Sequence, residues 1–175
     1  SPGRWCGPFV DDEPDPDRCI DYWWNNTGKE SLALDISRPA AGVLVKKLLA
    51  RADVFLDSAS PGKLAELGLD YSPTASNQGL IHASLTDFGQ DGPWSDYVMN
   101  DAAHLALGGQ MASSGYSDPK APPIGGQGHH AWHMGCAFVL HGIPIALFER
   151  ANSGEGQYID VSIHDVCAMG TEAAV

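Results

Sequence analysis

Short strand-like runs, each followed within a few residues by a helix-like run, constrain this chain more than any other feature. SLALDI (Ser31 to Ile36) alternates in polarity and is rich in strand formers, and after Arg38-Pro39 the residues Val43, Leu44, Lys47, Leu48 and Arg51 recur at helical spacing. DVFLD (Asp53 to Asp57) reads as a short buried strand. PGKLAELGL puts Pro61 in a first helical turn and Gly68 at the stop, and GLIHASL (Gly79 to Leu85) supplies a third strand. Strand, helix, strand, helix, strand with short connections is the pattern of right-handed βαβ units on a parallel sheet. The expected class is therefore α/β, a Rossmann-like parallel sheet with flanking helices. Ligands in such folds sit off the carboxyl ends of strands, which points to Ile36-Ser37, Ser58 to Gly62 and Thr86 to Pro93.

Further on, Val98 to Ala112 reads as a helix interrupted by Gly108-Gly109, and Ser113 to Gly128 as a loop dense in Gly, Pro and Ser. Ala131 to Arg150 has the apolar length of a long buried helix, which Pro144 should kink because proline lacks a backbone donor. NSGEGQ then turns the chain into the strand-like QYIDVSI. The sequence opens in a polar, Pro- and Asp-rich stretch and stops at HDVCAMGTEAAV, a helix just begun after a strand. Such ends predict a piece of a larger domain.

Composition narrows the class of function. With 175 residues, 43% of them hydrophobic and 18% charged, the chain can bury one sizeable core. Its formal charge of −12, with the few basic residues scattered, repels nucleic acid phosphates and anionic lipid, so neither nucleic acid nor membrane is expected as a partner. No signal-type apolar segment opens the sequence, and no run of about 18 apolar residues is free of polar interruption. Cys6, Cys19, Cys136 and Cys167 show no CxxC spacing, and two of them sit in apolar helical-looking runs, which predicts reduced, buried thiols, a cytoplasmic setting and no zinc.

The order of the motifs is more specific than any one of them. Reading forward they are GPF (Gly7 to Phe9), NNTGKESLALDI (Asn25 to Ile36), ADVFLDSASPGKLAELGLDY (Ala52 to Tyr71), LIHASLTDFGQDGPW (Leu80 to Trp94), NDAAHLALGG (Asn100 to Gly109), APPIGG (Ala121 to Gly126) and IALFERANSGEGQYIDVSIHD (Ile145 to Asp165). In that order they resemble the family III CoA-transferases, the group of formyl-CoA transferase, carnitine CoA-transferase and 2-methylacyl-CoA racemase. The resemblance implies acyl-CoA and a carboxylic acid as substrates and no metal. It also implies two interlocked subunits, as a homodimer or as paired halves of a tandem chain. Full-length members are more than twice as long, so a first strand-helix unit and a small domain would lie outside residues 1–175.

By motif position the resemblance assigns coenzyme A to Leu34, Asp35, Ile36 and Ser37, to Ser58, Ala59 and Ser60, to Glu66, and to Val98, Met99, Asn100 and Asp101. Any strand end offers residues like Leu34 and Asp35, so packing alone accounts for them equally well. Relatives commonly carry Asn at the place of Ser58 and Arg at the place of Glu66, and a carboxylate facing a CoA phosphate is repulsive.

In the transferases an aspartate attacks the acyl-CoA thioester and forms a mixed anhydride. Counting along the motifs, that position falls on Ala131 or Trp132, and no acidic residue occurs between Asp118 and Glu149. His129, His130, His133 and His141 crowd the same stretch. His129 or His130 as a general base competes with ordinary histidines at a helix start or an interface, and a metal site from His129, His130 and His133 lacks a further ligand. The racemase histidine position reads as Asn100. Asp101 matches an acidic position near the acyl group, and equally a carboxylate favoured at a helix N-terminus. Gly89 to Pro93 should shape the pocket through backbone conformation. Three functions fit: an acyl-CoA transferase-like protein, in which this stretch is the catalytically silent half of a tandem enzyme; a 2-methylacyl-CoA racemase or epimerase using histidine and Asp101; and a non-catalytic scaffold.

Overall fold

The structure, a computed structural model, describes residues 2–69, 77–116, 118 and 120–171. Asp70 and Tyr71, at the end of the second long motif, lie outside the described residues, as do Ser117 and Pro119 in the Gly-Pro-Ser-rich loop. The chain divides into two compact units between Asp35 and Ile36.

The first unit is small and held by local bonds around α1 (Ile20–Asn26). Cys19 is fully buried; its thiol donates to the carbonyl of Cys6 at 2.8 Å and accepts the N–H of Tyr22, capping the helix. The guanidinium of Arg4 lies 4.1 Å from the centre of the Tyr22 ring and pairs with Asp17 at 2.9 Å. SLALDI is not a strand: residues 31–35 have no regular secondary structure. A strand exists by pairing, and no described ladder or bridge includes this segment.

The second unit contains α2 (Pro39–Leu49), β1 (Val54–Asp57), α3 (Lys63–Glu66), β2 (Ile81–Thr86), α4 (Asp101–Leu107), α5 (Gln110–Ser113), α6 (His130–Ser153), β3 (Tyr158–Ser162) and α7 (Ile163–Met169). The strands form one parallel sheet in the order β1-β2-β3, as the α/β reading requires, but its third member is β3 rather than SLALDI. Phe55 stands opposite His82 and Tyr158, and Asp57 opposite Ser84 and Asp160, all on one face. Ala83 pairs with Ile159 and Leu85 with Val161 on the other.

That second face carries the core. Ala83, Leu85, Val161 and Ile163 pack with Ala131 and Val139 of α6 and with Leu105, Val166 and Cys167. Helix and sheet pack tightly at Gly135, where a Cβ would stand 3.0 Å from Leu85 Cδ1. Pro144 lies inside α6 without ending it. Of this helix only Ala131, Gly135, Val139 and Ala146 are buried, whereas Leu140, Ile145 and Phe148 are exposed, so the expected buried helix is buried on one side only. Cys136 on α6 is likewise exposed, against expectation. Among the described residues α6 is the one helix long and apolar enough to cross a membrane by length and composition.

The amino ends of the strands are pinned. Arg150, near the end of α6, donates to the carbonyl of Gly79 at 3.0 Å and pairs with Asp53 at 3.0 Å. Gly156 passes so close to β2 that a Cβ there would sit 1.9 Å from the Leu80 carbonyl oxygen. The loops at the carboxyl ends are the ones free to form a site.

Candidate functional site at the carboxyl ends of the strands

Beyond β1 and β2 the chain forms a cleft lined by Ser58, Ser60, Thr86, Asp87, Val98 and Trp132, among others. It thus gathers three stretches that the sequence reading marked separately: the turn after β1, the segment before α4, and the start of α6. Asp57 shapes the first, its Oδ1 accepting the N–H of Ala59 at 2.8 Å. Asn100 shapes the second by capping α4 with its side-chain oxygen on the N–H of Ala103 at 2.9 Å.

The start of α6 is capped from outside the helix. His129, in a left-handed conformation at φ 59°, gives no side-chain cap. Asp101 takes that role: its Oδ1 accepts the N–H of Ala131 at 2.8 Å and of Trp132 at 3.4 Å. The helix-terminus reading of Asp101 thus describes its contacts, since one carboxylate stands in the first turn of α4 and also at the head of a 24-residue helix. That spot is where the resemblance placed the missing nucleophile.

A second cleft is lined by Ile36, Ser37, Arg38, Gly42, Glu66 and Leu67. Here Glu66 does not stand alone as a negative charge, since Lys63 pairs with it at 2.7 Å and Arg38 lines the same wall. Leu34 and Asp35 belong to the first unit, Leu34 half-buried and Asp35 exposed. His130 lines a different cleft, with Leu105, Gln110, Met111 and Ile124. Among the described residues no group of three or more His, Cys, Asp or Glu is arranged to hold a metal.

On the sheet face of His82 and Ser84 lies a polar network that the sequence reading missed, and with Gly62, Leu64, Ala65 and Tyr158 its side chains line a further cleft. His82 Nε2 bonds Asp57 Oδ2 at 2.7 Å, the Gln90 side chain donates to Ser84 Oγ at 2.9 Å and to the Ala59 carbonyl at 3.3 Å, and the Gln90 N–H donates to Asp160 at 2.8 Å. These bonds tie the Gly89 to Pro93 turn to the turn after β1. Partial burial pushes the Tyr158 hydroxyl above its usual range, opposed by its hydrogen bond to Ser84. Asp87 was missed too: it lay inside a marked segment, but its bond to His104 at 3.0 Å appears only in the folded chain.

The model of CoA-transferase family III matches residues 2–175 of the sequence. The chain belongs to this family. A succinyl-CoA:(R)-benzylsuccinate CoA-transferase subunit of Thauera aromatica is 32% identical over 99% of the chain and 42% of its own length. The mouse alpha-methylacyl-CoA racemase is 38% identical over 78% of the chain and 36% of its own length. Among solved structures, a CaiB/BaiF family protein from Brucella suis superposes with a TM-score of 0.86 at 31% identity, covering 98% of the chain and 45% of that protein. The chain thus spans less than half the length of these family III relatives. With them the parallel sheet and flanking helices are established as the family III fold.

Proposed function

We propose that the protein containing this chain moves CoA between carboxylic acids, and that Asp101 supplies the carboxylate absent from Ala131 and Trp132. The observation that carries this reading is the pair of bonds from Asp101 Oδ1 to the backbone N–H groups of those two residues. In the reaction a carboxylate oxygen attacks the thioester carbonyl, the C–O bond forms, the C–S bond breaks and CoA leaves as thiolate. The thiolate attacks the aspartyl carbonyl of the anhydride, which releases the donor acid and leaves an aspartyl-CoA thioester. The acceptor carboxylate attacks that thioester to form a second anhydride and free the thiolate, which takes the acceptor's acyl group as the new CoA ester and restores Asp101. The segments Ser58 to Ser60 and Val98 to Asp101 take the thioester end in this reading, supported by Ser58, Ser60 and Val98 on the wall of the first cleft. The cleft of Ile36, Ser37 and Glu66 takes the phosphate-bearing end, with Arg38 as its cation.

Asp101→Asn in the full-length protein tests the assignment, because asparagine keeps an oxygen to cap α6 but cannot form an anhydride. Transfer is expected to fall at least about a thousandfold, since removing a nucleophile leaves only binding and electrostatic catalysis. Inactivation by hydroxylamine in the presence of acyl-CoA should vanish with it. Retention of wild-type transfer by this variant would return the chain to the silent-half or scaffold reading.

A second reading, 2-methylacyl-CoA racemisation, is favoured by the 38% identity to the mouse racemase and needs proton exchange instead of a nucleophile. Solvent deuterium entering the α-carbon without CoA transfer identifies it. The exposed apolar residues Leu140, Ile145 and Phe148 on α6 support pairing with a second subunit or a tandem half. The four cysteines, none in CxxC spacing, support a reducing, cytoplasmic setting.

A further inference from the structure

One buried hydroxyl in the first cleft has no use within the described chain. Thr86 is 7% exposed and lines the cleft, and its Oγ1 is shut off from solvent without a hydrogen-bond partner. An unpaired buried hydroxyl costs about 1–3 kcal/mol, and native structures rarely leave one so. Next to it, the side chain of Asp87 is 14% exposed and lines the same wall. This carboxylate is held at both oxygens: fully buried His104 bonds Oδ1 at 3.0 Å and the N–H of Met99 bonds Oδ2 at 3.0 Å. Its direction is therefore fixed, yet each oxygen keeps a second lone pair for a ligand. Asp96 adds a further carboxylate to the lining, and no lysine or arginine is among the described lining residues.

A hydroxyl that can donate or accept, beside an acceptor-only carboxylate, suits a ligand group that does both. Such a group donates to Asp87 and accepts from Thr86. A ligand carboxylate could accept from Thr86 but offers Asp87 no donor, and it meets the like charges of Asp87 and Asp96. We propose that Thr86 and Asp87 form a specificity subsite that takes a neutral group able to donate and accept, a hydroxyl on the acyl portion or an amide of the CoA arm, and that turns away acyl groups ending in a carboxylate. His104 is the positioning residue for Asp87. The proposal rests on the acyl-CoA reading above and adds the class of acyl group.

Calorimetric titration of the full-length protein with 3-hydroxybutyryl-CoA, butyryl-CoA and succinyl-CoA tests it, since these esters share chain length and differ in the group presented. Wild type should bind the hydroxy ester about tenfold more tightly than the butyryl ester, the worth of one good hydrogen bond, and succinyl-CoA most weakly. Thr86→Val should erase the hydroxyl preference while Thr86→Ser keeps it, and Asp87→Asn should improve succinyl-CoA binding several-fold. If the bound group is a CoA amide, Thr86→Val weakens all three esters equally and Thr86→Ser does not, which also supports the subsite. Equal binding of the three esters to wild type with no loss in Thr86→Val overturns the subsite and leaves the acyl-CoA reading standing. So does a Thr86→Ser variant that behaves as Thr86→Val. If no ester binds wild type, the acyl-CoA reading fails and the subsite falls with it.

Discussion

The two faces of β2 are equally buried and differently held. On one, Ala83 and Leu85 pack against α6 at the point where Gly135 lets the helix come close. On the other, the His82 ring lies between Phe55, at 4.6 Å between centroids, and Tyr158, at 4.9 Å, and its Nε2 reaches Asp57. Ser84 continues that row through Gln90 into the loops after β1 and β2. The apolar face therefore fixes the helix, and with it the N–H groups that meet Asp101. The polar face fixes the loops that form the walls of the cleft. Thr86 ends the polar row at the point where the network stops and the cleft begins.

Leu85→Ala attacks the apolar face and should have the larger effect. Truncating a buried leucine costs about 3 kcal/mol, from lost transfer energy and the cavity left behind, readable as a lower midpoint in urea with unchanged slope. Binding of CoA esters to the molecules that remain folded should stay near wild type. Asp57→Ala attacks the polar face and should cost less, about 2 kcal/mol, because His82 and the Ala59 N–H lose their acceptor inside the protein. It frees the turn carrying Ser58 to Ser60, however, so ester binding should weaken several-fold even under fully folding conditions. Two variants with the same ratio of binding loss to stability loss would show that the faces do not divide the work in this way.

Much of this division could be read in the sequence, and its limits have physical causes. Short strand-like runs set between helical patterns and turn residues located β1, β2 and β3. Alternation misled at SLALDI, where no described segment pairs with it. The motif order pointed to the family and to Val98, and strand ends pointed to Ser58, Ser60 and Thr86, all of which line the first cleft. What stayed hidden were bonds between residues far apart in sequence. Asp57 with His82, Asp87 with His104, and Asp101 with Ala131 each join two elements that only the sheet order brings together. A polar residue in a strand shows no partner in the sequence, so the pairing of His82 and Ser84 appears only in the fold.

The smallest expected effect concerns Asp160, at the rim of the polar face, where it accepts the Gln90 N–H. Partial burial raises its pKa above the ordinary 3.8; the bond from Gln90 pulls it down, and the nearby charges of Asp91, Asp165 and Asp57 push it up again. A carboxylate with a raised folded-state pKa binds its proton more readily folded than unfolded. Its contribution to stability is therefore fully present below the unfolded value and is lost as pH rises through the folded one. At neutral pH the ionised Asp160 should thus be a small burden. Asp160→Asn keeps an oxygen for Gln90 and removes the charge, so its Tm should slightly exceed wild type at pH 7, and the difference should shrink as pH falls toward 4 and the wild-type group takes up its proton. A variant less stable than wild type at pH 7 would mean that the charge on Asp160 strengthens its grip on the Gln90 loop by more than its burial costs, and the polar face would then be held by ionic bonds at its rim as well as by the neutral ones within.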